Sequence, residues 1–321
     1  MFRKAERKQA KLRLAICGPS GSGKTYSALL IAQGLAPEGR IALIDTERGS
    51  GELYAHLTAY DVAPLDPPFT PNRYMELIMA AEQAKYDVLI IDSLSHAWSG
   101  EGGVLDLHDK ATSANRSGNS FSAWREVTPK HNALVNSIIG ANLHVIVTMR
   151  TKTAYDLVDD NGKKKPIKIG LAPVQRDGVE YEFTTVLDLS VESHVATATK
   201  DRTRLFDGLH FVPSINTGEQ LHDWLLTGKD PSEESRKLLA SFQAEVAKVN
   251  EVHQLAVWWR QHDVEIASLT PMDKLALTDT CAKRKQQLLK DLQAKNAAPP
   301  PRGNGKSMVS NEVIDNPDIA F

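Results

Sequence analysis

Residues 18 to 25 read GPSGSGKT, and the chemistry open to that order of residue types is the holding of phosphate. Glycines at 18, 21 and 23 leave backbone N–H groups bare enough to close around phosphate oxygens. Lys24 adds a compact cation and Thr25 a hydroxyl suited to Mg2+. An apolar run precedes the loop and helical spacing follows it over 24–36, so unpaired helix N-terminal amides and the helix dipole address the same anion. Gly18, Pro19, Ser20, Gly21, Ser22, Gly23, Lys24, Thr25 and the following Tyr26 are therefore the expected nucleotide-binding residues, with ATP and Mg2+ as the ligands.

Cleaving a bound triphosphate asks for more: a carboxylate that organises the metal and a group that orients the attacking water. The run DVLIIDS ends an apolar strand on Asp92, at the carboxyl edge where α/β sheets place ligands. Asp92 thus joins Thr25 as an expected metal ligand, directly or through a bound water. The run IALIDTERGSG ends another strand with Asp45 and Glu47. Asp45 is expected to hydrogen-bond locally, whereas Glu47 is either a water-polarising base or an exposed loop carboxylate.

The elements that must carry these groups follow from apolar spacing. Short β-rich runs (LRLAIC, RIALID, DVLIID, LHVIVT, TTVLDLSV and HVATAT) alternate with helical stretches at 24–36, 72–85 and 122–141. Near-continuous apolar strands of this kind fit a mostly parallel sheet covered on both faces, an α/β core. Two segments interrupt the rhythm. Residues 106–120 are polar and rich in glycine and serine, which reads as a mobile loop. Residues 153–169 read as a β-hairpin turning at Asn161-Gly162, with Lys163, Lys164, Lys165 and Lys168 about its tip. Beyond 228 the chain becomes helical and charged. The expected domains are a core over 1–228 with a short basic lead, a helical appendage over 229–295, and a disordered linker with an acidic tip over 296–321.

Composition narrows the classes. A net charge of −2, from 38 basic and 40 acidic residues, excludes a globally basic nucleic-acid binder, so any such contact must be local. The two cysteines, Cys17 and Cys281, have no ligand-spaced partners, which argues against structural zinc and against a disulfide framework. No apolar run reaches membrane-spanning length and the N-terminus lacks a signal-like apolar centre, so a cytoplasmic location is expected.

Three segments in this order, GPSGSGKT, LIDTERGSG and VLIIDSLSHAW, resemble the RecA-like recombination ATPases. Together with HVIVTMRTKTAY and GLAPVQRDGVEYEFTTVLDL, they are similar to phage-encoded AAA-type ATPases that include the RecA-like member of the Sak single-strand annealing proteins. The resemblance covers roughly residues 4–207. It implies a RecA-like P-loop NTPase core and a phage-type ATPase, with Glu47 and Lys24 as catalytic residues. It implies Thr148 and Arg150 at the γ-phosphate sensor, although the usual glutamine is missing there. In ATKDRTR it implies Lys200 and Arg202 as fingers that reach a neighbouring subunit's nucleotide; the plain alternative is an exposed basic strand end. A ring or filament of this chain and single-stranded DNA are the partners implied, with Arg116, Lys163, Lys164, Lys165 and Lys168 on the DNA-facing loops. The ending NEVIDNPDIAF resembles the tip by which single-strand-binding proteins dock partners, or is simply an acidic end. A helicase or replication-initiation motor on the same core, and a nucleotide switch without DNA, are the competing functions.

Overall fold

In the computed structural model, which describes residues 4, 7–114, 120–160 and 163–297, the chain divides into two compact units, 10–227 and 1–9 with 228–321. In the larger unit the apolar runs become strands β1 (Arg13–Gly18), β2 (Ile41–Asp45), β3 (Asp61–Pro64), β4 (Val88–Asp92), β5 (His144–Asp160), β6 (Lys163–Pro173), β7 (Thr185–Leu189), β8 (Ala196–Asp201) and β9 (His210–Phe211). Between them run α1 (Lys24–Leu35), α2 (Pro71–Gln83), α3 (Ser95–Ser99), α4 (Val104–Ala114), α5 (Ser120–Gly140) and α6 (Ile215–Leu226). The sheet order is β3-β2-β4-β5-β1-β7-β8-β9, with β6 off this path and paired to β5.

From β3 through β7 neighbouring strands pair in parallel, while β8 and β9 add antiparallel edges. Parallel pairing puts the carboxyl ends of β1, β2, β4 and β5 on one edge, so Gly18, Asp45, Asp92 and Arg150 converge there although they are far apart in sequence. The side-chain period of two explains why both faces are dry. Leu89 and Ile91 of β4 join one apolar cluster with Ala15, Cys17, Tyr74 and Leu134, whereas Val88 and Ile90 join the other with Leu14, Ile16, Leu29 and Leu221. On that second face α1 and α6 approach through glycines: a Cβ at Gly34 would lie 1.9 Å from the Ile215 carbonyl oxygen, and one at Gly218 2.1 Å from that of Ile31.

Arg13 seals the opposite edge of the sheet. Its guanidinium donates to the carbonyls of Leu12, Ile139, Ala141 and Leu143, three of them at and just beyond the C-terminal end of α5. Burial lowers its pKa to about 10, and the carbonyl end of a helix is where a cation is favoured.

The segment expected to be a mobile loop over 106–120 is largely helical. Asp106 accepts from the Gly102 N–H at 2.8 Å and pairs with Lys110 one turn on, and together these hold the first turns of α4. Composition hid these local bonds; the remainder, 115–119 with Arg116, lies outside the described residues, as does Asn161-Gly162. The hairpin itself is longer than the 153–169 read from sequence. It extends from Thr151↔Pro173 to Asp160↔Lys163, with an irregularity at Ala154/Tyr155. Strand β3 went unread because it is four residues long, ends on Pro64 and sits at the sheet edge.

The smaller unit is built from α7 (Pro231–Lys248), α8 (Val252–Gln261), α9 (Asp263–Ile266) and α10 (Pro271–Ala297) around Phe242, Val246, Leu255, Trp258, Leu277 and Cys281. Trp258 serves as a packing anchor whose indole N–H donates to Glu245 at 2.8 Å. Among the described residues no helix is long and apolar enough to cross a membrane.

Candidate nucleotide site

The glycine loop leaves β1 at Gly18 and enters α1 at Lys24, as the strand–loop–helix reading requires. Gly23 has φ +86°, a conformation that side-chain-bearing residues rarely adopt, and no side chain caps α1. The first amides of the helix are thereby left to an anion. Lys24 Nζ donates to the Pro19 carbonyl at 2.8 Å, and burial lowers its pKa while the nearby carboxylates Asp92 and Glu47 oppose that shift. The loop opens onto a cavity of about 570 Å3, whose walls include Ser20, Gly21, Gly23, Lys24, Thr25 and Tyr26.

Opposite the loop stands Asp92. Thr25 Oγ1 and Thr148 Oγ1 each donate to its carboxylate at 2.5 Å, one to either oxygen. The sheet order accounts for this geometry. Because β5 is inserted between β1 and β4, Thr148 projects from the strand that separates the glycine loop from Asp92. Burial raises the pKa of Asp92, and the two threonine hydroxyls work against that rise. Asp92, Thr25 and Lys24 thus form one hard-oxygen and cation set along one cavity wall.

Glu47 lines the same cavity. Arg150 at the sheet end of β5 holds it by two hydrogen bonds, Nε to Oε1 at 3.1 Å and Nη2 to Oε2, and Ser93 Oγ adds a third at 3.3 Å. Arg150 is itself fixed on both sides of its backbone: its N–H donates to Ser95 Oγ and its carbonyl accepts from Val174 at the return of the hairpin. Asp45 does what its position suggested, accepting from the Glu47 and Gly51 amides and so shaping the loop that presents Glu47. His96 sits 2.7 Å from Thr46 Oγ1 and stacks on Phe69; burial lowers its pKa, and Glu47 opposes that shift. Trp98 and Trp124 stack on one another away from the cavity, and Trp98 meets His131 edge-on.

Lys200 and Arg202 lie elsewhere. Lys200 pairs with Val186, which is level with Ala15, three residues down β1 from Gly18. Three residues of strand are about 10 Å, and two inter-strand steps lie across, so neither side chain reaches the cavity of its own chain. Both donate to the Tyr181 carbonyl, Arg202 at 3.2 Å, and burial lowers the pKa of Lys200 with Arg202 adding to the effect. Of the expected DNA-facing lysines, the backbone pairing sets Lys163, Lys164 and Lys165 at the far end of the hairpin and Lys168 opposite Tyr155.

Several cavity residues escaped sequence reasoning: Ser50, Tyr54, His194, Val212 and Pro213. Tyr54 meets Tyr26 edge-to-face at 5.8 Å, which makes an aromatic wall beside the phosphate loop. No spacing rule marks them, because they arrive from three separate loops. Ser50, inside the run IALIDTERGSG, and Tyr54, seven residues after Glu47, lay within reach of a motif already noticed.

A strand, a left-handed glycine loop and a helix on a parallel sheet, with a loop lysine and threonine facing a strand-end aspartate, define the P-loop NTPase class. Within that class the chain belongs to the AAA domain family, whose model matches residues 10–218. No curated protein matches the chain.

Proposed function

We propose that the protein is a Mg2+-dependent ATPase of phage-type DNA recombination, akin to the RecA-like Sak proteins, which binds single-stranded DNA and promotes annealing or strand pairing. One observation carries the hydrolytic part: Glu47, Asp92, Thr25 and Lys24 meet around a single cavity at the mouth of α1. The donor set fits magnesium, since a hydroxyl and a carboxylate 2.5 Å apart are hard oxygen ligands. A magnesium ion held there by Thr25 and Asp92 would supply charge neutralisation and Lewis-acid polarisation to the bound phosphates.

The chain's own groups then have distinct tasks. The amides at Gly21 to Thr25 and Lys24 orient the phosphates; Thr25 and Asp92 hold the metal; Thr148 fixes the second oxygen of Asp92. Glu47 takes the proton of the attacking water, which requires Arg150 to leave it. Arg150 has a natural new partner, because a γ-phosphate, like a carboxylate, offers negative charge and paired acceptor oxygens to a guanidinium fork. Lys200 and Arg202, remote from their own cavity, serve the site of the next subunit in a ring or filament. The hairpin grows directly from Arg150, so DNA held by Lys163 to Lys165 acts on the strand end that touches Glu47.

The test is ATP turnover with and without single-stranded DNA. Lys24→Ala is expected to lose ATP binding, and Glu47→Gln to keep binding while turnover falls at least ~100-fold. Charge reversal at Lys163, Lys164 and Lys165 should abolish DNA stimulation, flatten the salt dependence of DNA binding and leave basal turnover intact. Stimulation that survives the reversal removes the DNA assignment; turnover that survives Glu47→Gln removes the catalytic one. A forked duplex unwound by the native chain would favour a helicase instead.

A further inference from the structure

His194, in the turn between β7 and β8, has three features that core packing does not explain. Its φ is +54°, in the left-handed region that non-glycine residues enter at a cost of about 1 kcal/mol or more. It is exposed, so burial does not repay that cost. Its imidazole lies over the phosphate loop, with Nδ1 3.1 Å from the Ser22 carbonyl oxygen and a Cβ at Gly23 only 3.3 Å from the same nitrogen. The residue also lines the nucleotide cavity.

The hydrogen bond settles the tautomer. A carbonyl oxygen only accepts, so Nδ1 carries the hydrogen, and in a neutral imidazole Nε2 is then an acceptor. An acceptor has no use for phosphate oxygens, which are acceptors too. It calls for a hydroxyl or amino donor, and the ribose hydroxyls are the donors of a nucleotide nearest its phosphates. Lys24, Arg150, Glu47 and Asp92 line the same cavity, and all are committed at the phosphate end.

We propose that His194 Nε2 accepts a hydrogen bond from a ribose hydroxyl of the bound nucleotide, and so makes this site discriminate against a nucleoside triphosphate that lacks that hydroxyl. The proposal rests on the nucleotide reading of the cavity given above. Calorimetric titration of the full chain with Mg2+ and ATP, 2′-deoxy-ATP, 3′-deoxy-ATP, ITP or inorganic tripolyphosphate tests it. The native chain is expected to bind ATP about 5- to 10-fold more tightly than at least one deoxy analogue, the worth of one neutral hydrogen bond. His194→Phe should lose that factor for ATP while binding of the affected deoxy analogue and of tripolyphosphate stays unchanged. His194→Gly, which relaxes the backbone, should lose it likewise, so a strained turn is not mistaken for a contact.

Equal native affinity for ATP and both deoxy analogues overturns the proposal. So does a His194→Phe loss as large for tripolyphosphate as for ATP, which would mean a phosphate contact, or a native loss with ITP but with neither deoxy analogue, which would mean a base contact. Selectivity retained in His194→Gly overturns it as well. Failure of the native chain to bind any of the five would instead bring down the nucleotide reading itself.

Discussion

Replacing Arg150 by alanine separates two roles that the geometry gives one side chain. In the structure the guanidinium grips Glu47, and the side chains of the pair are 46% and 23% exposed. At that exposure water screens the attraction, so the pair contributes about 1 kcal/mol at most to stability. Arg150→Ala should therefore unfold in urea within about 1 kcal/mol of the native chain. Its effect on catalysis is expected to be far larger. If the arginine turns from Glu47 to the γ-phosphate, it supplies a charged donor where negative charge develops, and loss of such a donor typically costs ~100- to 1,000-fold in turnover.

Single-turnover hydrolysis at saturating ATP reads this directly, with ATP affinity measured alongside it. A pure clamp predicts the opposite sign, since freeing Glu47 would leave turnover unchanged or faster. Native-like or faster single-turnover hydrolysis by Arg150→Ala, with stability and ATP affinity retained, would refute the exchange of partners.

Arg13→Met strands the Ile139, Ala141 and Leu143 carbonyls at the end of α5 and should destabilise the larger unit by about 3 kcal/mol or more in urea unfolding. Gly34→Ala improves local helix propensity by about 1 kcal/mol, yet its Cβ would overlap the Ile215 backbone, so a net loss near 2 kcal/mol is expected in the same assay. His144 accepts from the Leu12 amide, and burial, with Lys11 and Arg13 beside it, lowers its pKa to about 3. The unfolded chain thus takes up a proton near pH 6.5 that the folded chain refuses, and stability falls between there and pH 3 by up to ~1.4 kcal/mol per unit. His144→Asn, which keeps an acceptor, should flatten the urea-unfolding midpoint against pH by about one proton.

The loop, its helix and the two strand-end acids were legible because each is a local pattern: glycines before a lysine, or an apolar run that stops on a carboxylate. What joined them was not local. The contact between Arg150 and Glu47 spans 103 residues and exists because parallel pairing brings the ends of β2 and β5 to one edge. Thr148 reaches Asp92 only because β5 lies between β1 and β4, a strand order that apolar spacing does not encode. Helix α4 is obscured in the sequence by serine and asparagine near its end, because turn-favouring composition gives no sign of the Asp106 contacts that hold its first turns. Tyr54, Val212 and His194 became cavity walls through loop placement alone, which the sheet dictates and no short motif announces.

The placement of Lys200 and Arg202 gives the subunit assignment its sharpest consequence. They sit near the end of the sheet opposite the phosphate loop, so a contact that lets them serve a cavity must join unlike surfaces, head to tail. In such an assembly each working site takes Lys24 from one chain and Lys200 from the next. Lys24→Ala and Lys200→Ala should each be inactive alone, yet a random equal mixture regains sites that combine one intact cavity with one intact finger. About one interface in four meets that condition, so the mixture should recover about a quarter of native turnover when DNA and ATP are saturating. Recovery also demands that subunits exchange, which mixing before assembly at low protein concentration ensures. Folded, co-assembled mixtures that stay as inactive as their parents would show that the two basic residues do not act across subunits, and the carbonyl of Tyr181 would then be their whole purpose.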